Sequence, residues 1–356
     1  MLRKMLNIKH PIIQAGMAGG PTTPELIAAV SNAGALGTLG AGYMPPEDIG
    51  AAIAHIKEQT EAPFAVNLFL PQSYETNEKQ ILNMQAHLNH YRKKLDIPEI
   101  HTIPDMKDIF ERQLEVVIET GVKIVSFTFD QPSAELVKRL KNKDILVIAT
   151  ATNVEEAKVL DKLGVNVIVA QGSEAGGHRG TFLSKENEAL IGTFALVPQM
   201  VDAVSCPVIA AGGIMDGRGY AAALSLGASG VQIGTAFLTV TESGASDIHQ
   251  QAILSSKDTD TKITKAFSGK SARGFKNEMM LELEKIQIEN LPPYPIQHIL
   301  TSDIRKEAGR RKNKEMLSMW AGQASAMSKR QSAKELIETI AVDCSKIISE
   351  LHRQQT

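Results

Sequence analysis

Short apolar runs rich in Val, Ile and Phe recur along the chain, each followed by a stretch with helical spacing, and this alternation most narrows what the chain can fold into. Eight runs occur, at 11–17, 35–42, 63–70, 123–130, 144–150, 165–172, 207–213 and 230–238. Strands that alternate with helices form parallel sheets with crossover connections. The runs are apolar at successive positions, so both faces of each strand are expected to be buried, as in a closed barrel or a doubly wound sheet. Eight strands favour the barrel. The intervening helical stretches run into Gly34, Gly121, Gly164 and Gly227. Glycine at such a stop takes the left-handed C-cap conformation and turns the chain into the next strand. The expected fold class is α/β, a (β/α)8 TIM barrel with insertions at the C-terminal face of the strands.

Two stretches exceed the repeat, 71–120 after the third strand and 241–325 after the eighth. Both follow strand C-termini, the face where barrel active sites sit, so both are expected to cover a ligand. The domain reading is a barrel over 1–240 that includes the 71–120 insertion, a mostly helical lid or substrate subdomain over 241–325, and a final barrel helix over 326–356. In that last segment Leu336, Ile337, Ile340, Ala341, Cys344, Ile347, Ile348 and Leu351 stand at helical spacing. The basic run 305–314 reads as solvated surface.

Composition narrows the function more than the fold. A formal net charge of −2 gives no general attraction to nucleic acid or anionic lipid, which leaves small-molecule chemistry as the expectation. Cys206 and Cys344 are far apart, with no CxxC or Cys/His ligand spacing, so neither a disulfide framework nor a metal site is expected. The first ten residues are basic without the apolar run of a signal peptide, and no apolar span of ~18 residues occurs, so a cytoplasmic protein with no membrane partner is expected. A homo-oligomer is left open.

Polar and glycine residues collect where the strands end. Asn67 sits inside the apolar run Phe64-Ala-Val-Asn-Leu-Phe69, where a buried amide must be hydrogen-bonded. After the sixth strand comes Gln171-Gly-Ser-Glu-Ala-Gly-Gly-His178-Arg-Gly180. Its glycines let backbone N–H groups approach a flat or anionic ligand, Gln171 offers both donor and acceptor, and His178 is the residue type suited to moving a proton near neutral pH. Strands seven and eight end in Gly212-Gly213 and in Gln232-Ile-Gly-Thr235. Barrel enzymes hold phosphate between these two loops, and a phosphate beside a glycine-lined planar site points to FMN. There is no Walker A loop and no GxGxxG after a first strand.

With those segments in view, the chain resembles the nitronate monooxygenases, the bacterial FMN-dependent class formerly called 2-nitropropane dioxygenases. The likeness runs along most of the chain and is most specific at Gln14-Ala-Gly-Met17, at 171–180, at Ala210-Ala-Gly-Gly-Ile-Met-Asp-Gly-Arg218, at Gln232-Ile-Gly-Thr-Ala-Phe-Leu238 and at Lys265-Ala-Phe-Ser-Gly-Lys-Ser-Ala-Arg-Gly274. The resemblance implies that Asn67, Gln171, Gly176, Gly213, Gln232, Ile233, Gly234 and Thr235 contact FMN and that His178 is the catalytic histidine. It implies oxidation of alkyl nitronates, propionate 3-nitronate among them, by O2 without added nicotinamide, giving an aldehyde-type product plus nitrite or nitrate. Detoxification is the role expected from it. His178 would orient the anion or take a carbon-bound proton from a neutral nitroalkane. Lys270 and Arg273 are candidates for a substrate carboxylate, with Tyr294 and Trp320 as lid aromatics.

Two other readings share these motifs. An FMN-dependent enoyl-acyl carrier protein reductase is similar in barrel and in its Gly-Gly-His element, and would consume a nicotinamide donor. A non-catalytic flavin-binding barrel would bind FMN without turnover, since fold alone does not fix function.

Overall fold

The computed structural model describes residues 2–75, 77–102, 109–286 and 290–355. Its strands are β1 (Ile12–Gln14), β2 (Gly37–Gly40), β3 (Phe64–Phe69), β4 (Ile124–Thr128), β5 (Leu146–Ala151), β6 (Val167–Gln171), β7 (Gly177–His178), β8 (Val208–Ala211), β9 (Gly230–Ile233), β10 (Thr261–Thr264) and β11 (Ala272–Phe275). Eight of them form one parallel sheet in the order β1-β9-β8-β6-β5-β4-β3-β2. A parallel bridge between Ile13 and Leu36 brings its two ends together, so the sheet closes into the expected (β/α)8 barrel. All eight apolar runs supply a strand, although the last is shorter than the run 230–238: the chain leaves the sheet at Gly234, and Thr235–Thr239 is a 3-10 turn.

The helices are α1 (Leu2–Leu6), α2 (Pro24–Asn32), α3 (Pro46–Gln59), α4 (Glu78–Lys94), α5 (Phe110–Glu119), α6 (Ala134–Lys141), α7 (Val154–Leu163), α8 (Thr193–Ala203), α9 (Gly217–Ser225), α10 (Asp247–Leu254), α11 (Glu278–Leu283), α12 (Ile296–Leu300), α13 (Ser302–Arg310) and α14 (Ala333–Gln355). Side chains start several of them, each satisfying an amide that the first turn leaves free: Ser133 accepts from Leu136, Asn153 from Glu156, and Asp216 from Arg218 and Gly219. The stops behave as the sequence predicts, with Gly34, Gly121, Gly164 and Gly227 all at positive φ. The final helix α14 packs against α9 and α2. Leu336, Ile337, Ile340 and Cys344 are buried, whereas Ile348 and Leu351 are exposed, so the last turns of α14 run past the body of the barrel.

Inside the barrel Ile13, Leu36, Ala65, Ile124, Ile148, Val167, Val169, Ile209 and Ala211 form one apolar stack. Leu2 and Leu6 of α1 join it, filling one end. A separate core joins the two long excursions: Ile81, Met84, Leu88, Tyr91 and Leu95 from α4 and its end pack with Phe267, Met279, Met280, Leu283, Ile296, Leu300 and Ile304. Arg92 ties the same pieces, donating to Asp303 at 2.7 and 3.2 Å and to the Leu300 carbonyl at 2.8 Å. Of the excursion 71–120, residues 76 and 103–108 lie outside the described residues, as do 287–289 of 241–325 and 356 of the terminal segment. Among the described residues no helix is long and apolar enough to cross a membrane.

Candidate functional site

A cavity of about 660 Å³ opens beyond the strand ends, within the size range of cofactor and substrate sites. Val169 and Ala211, members of the interior stack, lie at its floor. Asn67, Gln171, Gly176, His178, Gly213, Gln232, Gly234 and Thr235 all line it. Ile233 does not: its side chain is in the wall core and its carbonyl accepts from the Ala15 N–H, because alternate residues of a strand face opposite ways.

The wall near β8 and β9 is bare backbone. A Cβ on Gly176 would lie 2.5 Å from the Gly322 amide nitrogen, so that close approach requires glycine. Gly213, at φ +71°, holds a conformation that other residues adopt at a cost of about 1–2 kcal/mol. Gly213 and Gly234 donate their N–H groups to no acceptor among the described residues, as a cradle for an anionic oxygen requires. Thr235 is committed within the protein, its hydroxyl accepting from the Gly322 N–H at 2.9 Å. Asn67 donates to the Ser126 hydroxyl at 2.8 Å, which leaves its carbonyl oxygen for a ligand. These features fit the phosphate and ring edge of a flavin.

The loop after β6 is fixed from both sides. Gln171 donates to the His178 carbonyl at 3.0 Å and accepts from the Gly180 N–H at 2.8 Å. The buried Arg179 guanidinium donates to the carbonyls of Gly172, Gln171 and Ala189. Glu174 accepts from the Thr193 N–H and hydroxyl, which anchors the loop to the first turn of α8. The loop also supplies β7, which pairs antiparallel with β11 in a three-stranded sheet, His178 opposite Ala272.

His178 Nε2 lies 2.8 Å from the Ser268 hydroxyl. That hydroxyl donates to the Lys270 carbonyl at 3.0 Å, so toward His178 it acts as acceptor. The imidazole proton therefore sits on Nε2 and the lone pair on Nδ1. Burial, reinforced by the charges of Lys270 and Arg305, pulls the His178 pKa down to about 3, so the ring is neutral at physiological pH. Three rings surround it: Trp320 at 5.3 Å, Phe129 at 5.5 Å and Tyr294 at 5.9 Å between centroids. Phe129 has φ +85°, a strained backbone for a bulky residue, and it closes β4 directly against the histidine.

The loop cations expected to meet a carboxylate are used elsewhere. Lys270 donates to the Thr181 carbonyl at 3.0 Å and lies 3.5 Å from Glu186, while Arg273 donates to the Ser173 carbonyl at 3.0 Å. Neither lines the cavity. The cations that do are Arg305 and Lys306, from the run read as solvated surface, together with Tyr43 and His298. The Tyr43 ring stacks on His298 at 4.3 Å. For the outer members of the run the surface reading holds, since Arg310 and Arg311 pair with Glu307 on the outside of α13.

The family model described as "Nitronate monooxygenase" matches residues 1–343. A protein named "Probable nitronate monooxygenase" from Staphylococcus saprophyticus is 47% identical over 347 residues, 97% of each chain. Among solved structures, nitroalkane oxidase from Streptomyces ansochromogenes superposes with a TM-score of 0.91 at 35% identity, covering 98% of this chain and 99% of that one. FabK from Thermotoga maritima superposes with a TM-score of 0.79 at 29% identity, covering 99% and 98%.

Proposed function

The chain belongs to the nitronate monooxygenase family and is an oxygen-using oxidoreductase, and on that premise we propose that it oxidises alkyl nitronates with FMN as the bound cofactor. The observation that carries this reading is the neutral His178, held by Ser268 inside a cavity whose other wall is the glycine cradle of Gly213 and Gly234. FMN, when bound, supplies the electron acceptor that O2 reoxidises. The chain's own residues would hold it through Gly176, Gly213, Gly234 and the Asn67 and Gln171 amides, with Gln232 and Thr235 beside them. Ile233 would contribute only through its backbone. The two excursions over the strand ends act as the lid that keeps water from the site. The compartment proposed is the cytoplasm.

A base whose conjugate acid ionises near pH 3 is a poor acceptor for a carbon-bound proton. A nitronate arrives already deprotonated and needs donors more than a base. His178, whose one N–H is held by Ser268, therefore acts by packing beside the anion rather than as its base, and nitronates should be oxidised much faster than the corresponding neutral nitroalkanes. The test is oxygen uptake by the yellow protein with propionate 3-nitronate and no nicotinamide, beside His178→Asn. Rapid uptake that the variant loses by about 10²-fold supports the reading. No uptake by the FMN-loaded wild type, or steady NADH consumption with an enoyl thioester, overturns it in favour of the reductase. Bound FMN with no turnover of either substrate leaves the non-catalytic barrel.

A further inference from the structure

We propose that the Thr193 hydroxyl, held in place by Glu174, sets which way the Gly212–Gly213 peptide faces, so that the cradle presents an N–H rather than a carbonyl to the phosphate of the flavin. This rests on the FMN reading of the same cavity and deepens it, because it assigns a positioning residue to a wall of bare backbone. Thr193 is the first residue of α8 and is not among those that line the cavity.

Two adjacent glycines leave the polarity of the cradle undecided. Gly212 and Gly213 stand at φ +117° and +71°, both in a region that side chains disfavour. A peptide unit is planar and trans, so the Gly212 carbonyl and the Gly213 N–H point in opposite directions. Between two residues without a Cβ that unit turns over at little cost. In one orientation the Gly213 N–H meets an anionic oxygen, whereas in the other the Gly212 carbonyl does and attraction becomes repulsion.

The Thr193 hydroxyl settles the orientation. Its Oγ1 lies 3.0 Å from the Gly212 carbonyl oxygen and 3.4 Å from that of Ala211, which draws the carbonyl end of the unit toward α8 and turns the Gly213 N–H the other way. That N–H has no acceptor among the described residues, and Gly213 lines the cavity. Thr193 is buried where α8 meets the loops after β6 and β8. A Cβ on Gly172 would overlap its hydroxyl and one on Gly212 would lie 2.9 Å away, so both loops need glycine to admit it. Glu174 keeps the hydroxyl there, accepting from the Thr193 N–H at 2.9 Å and lying 2.9 Å from Oγ1. The single hydroxyl proton is thus shared between the carboxylate and the Gly212 carbonyl, a three-centre bond at a helix terminus. The carboxylate is itself seated on the first-turn amide of α8, where the helix dipole favours negative charge.

The experiment measures, by flavin fluorescence on release, the affinity of the full chain for FMN and for riboflavin, which lacks the phosphate, in the wild type, Thr193→Val, Thr193→Ala and Thr193→Ser. Valine keeps the branched shape without the hydroxyl, alanine removes the hydroxyl without adding a methyl, and serine keeps the hydroxyl. Thr193→Val and Thr193→Ala should each weaken FMN binding about tenfold while riboflavin binding stays within about twofold of wild type. Thr193→Ser should hold FMN within about threefold of wild type. Equal losses for both flavins in the valine and alanine variants, or a serine variant as weak as alanine, would show a merely structural role and overturn the assignment. Undiminished FMN binding without the hydroxyl overturns it too. The wild type separates the two readings: if it holds riboflavin as tightly as FMN, the phosphate cradle fails and the role of Thr193 with it. A wild type that prefers FMN, beside hydroxyl-free variants that keep the same preference, refutes Thr193 alone and leaves the proposed function standing.

Discussion

Lowering the pH from 7.5 to 5.5 should destabilise the fold steeply, and the slope follows from three imidazoles. Burial pulls His178 down to about 3 and His249 to about 4, and it holds His298 lower still with help from Arg305. All three are neutral when folded, and in the unfolded chain each takes up a proton near the ordinary value of 6.5. The unfolded state therefore binds more protons below that pH. The stability these histidines contribute is present above 6.5 and is lost as the pH falls toward their folded values. Each costs about 1.4 kcal/mol per pH unit once the medium is below 6.5, so at pH 5.5 the three together remove about 4 kcal/mol, a large part of a typical total of 5–15 kcal/mol. Water in the open cavity screens His178 and His298 somewhat, so this is a ceiling. His10 adds to the slope and Asp130, raised by burial, opposes it. Asp161, Glu186 and Asp216 are held below the ordinary carboxylate range and titrate outside the window. The assay is urea unfolding at the two pH values with flavin concentration fixed, in wild type and in His249→Gln, which should lose about a third of the slope. Equal unfolding midpoints at pH 7.5 and 5.5 would refute the reasoning, as would a variant whose slope matches the wild type.

Two further outcomes follow from the loops around the cavity. Arg179→Met leaves the carbonyls of Gly172, Gln171 and Ala189 without their donor, and should cost about 3 kcal/mol in urea unfolding while lowering the flavin retained through purification. Gly213→Val forces a β-branched residue to φ +71° and fills the cradle, so flavin affinity measured by fluorescence on release should fall at least about tenfold with the circular dichroism spectrum unchanged.

The barrel was legible because its signal is local. A strand buried on both faces must be apolar throughout, and a helix that turns back at once needs a left-handed stop, so eight runs and four glycines carry the fold. The floor of the site was legible for a related reason: Asn67, Gln171, Gly213 and Gly234 interrupt patterns that would otherwise be purely apolar or regular. What stayed hidden comes from distant parts of the chain. β7 is two residues long and exists through its pairing with β11, nearly a hundred residues away. Phe129 shows nothing in sequence of its positive φ. Arg305 was masked by its basic neighbours, although the spacing of Thr301, Ile304, Arg305 and Ala308 marks the inner stripe of α13 and could have separated it from Arg310 and Arg311.

The core shared by α4 and the segment around Phe267 also sets a schedule for synthesis. About 170 residues of chain separate the end of α4 from its partners, and a ribosome adding about 5–20 residues per second needs roughly 9–34 s to deliver them. Throughout that interval Ile81, Met84 and Leu88 face solvent beside a barrel whose later strands do not yet exist. This is when the nascent chain is most exposed to aggregation and most in need of a chaperone. Slowing translation between β4 and β9 lengthens that interval without altering a single contact of the finished protein.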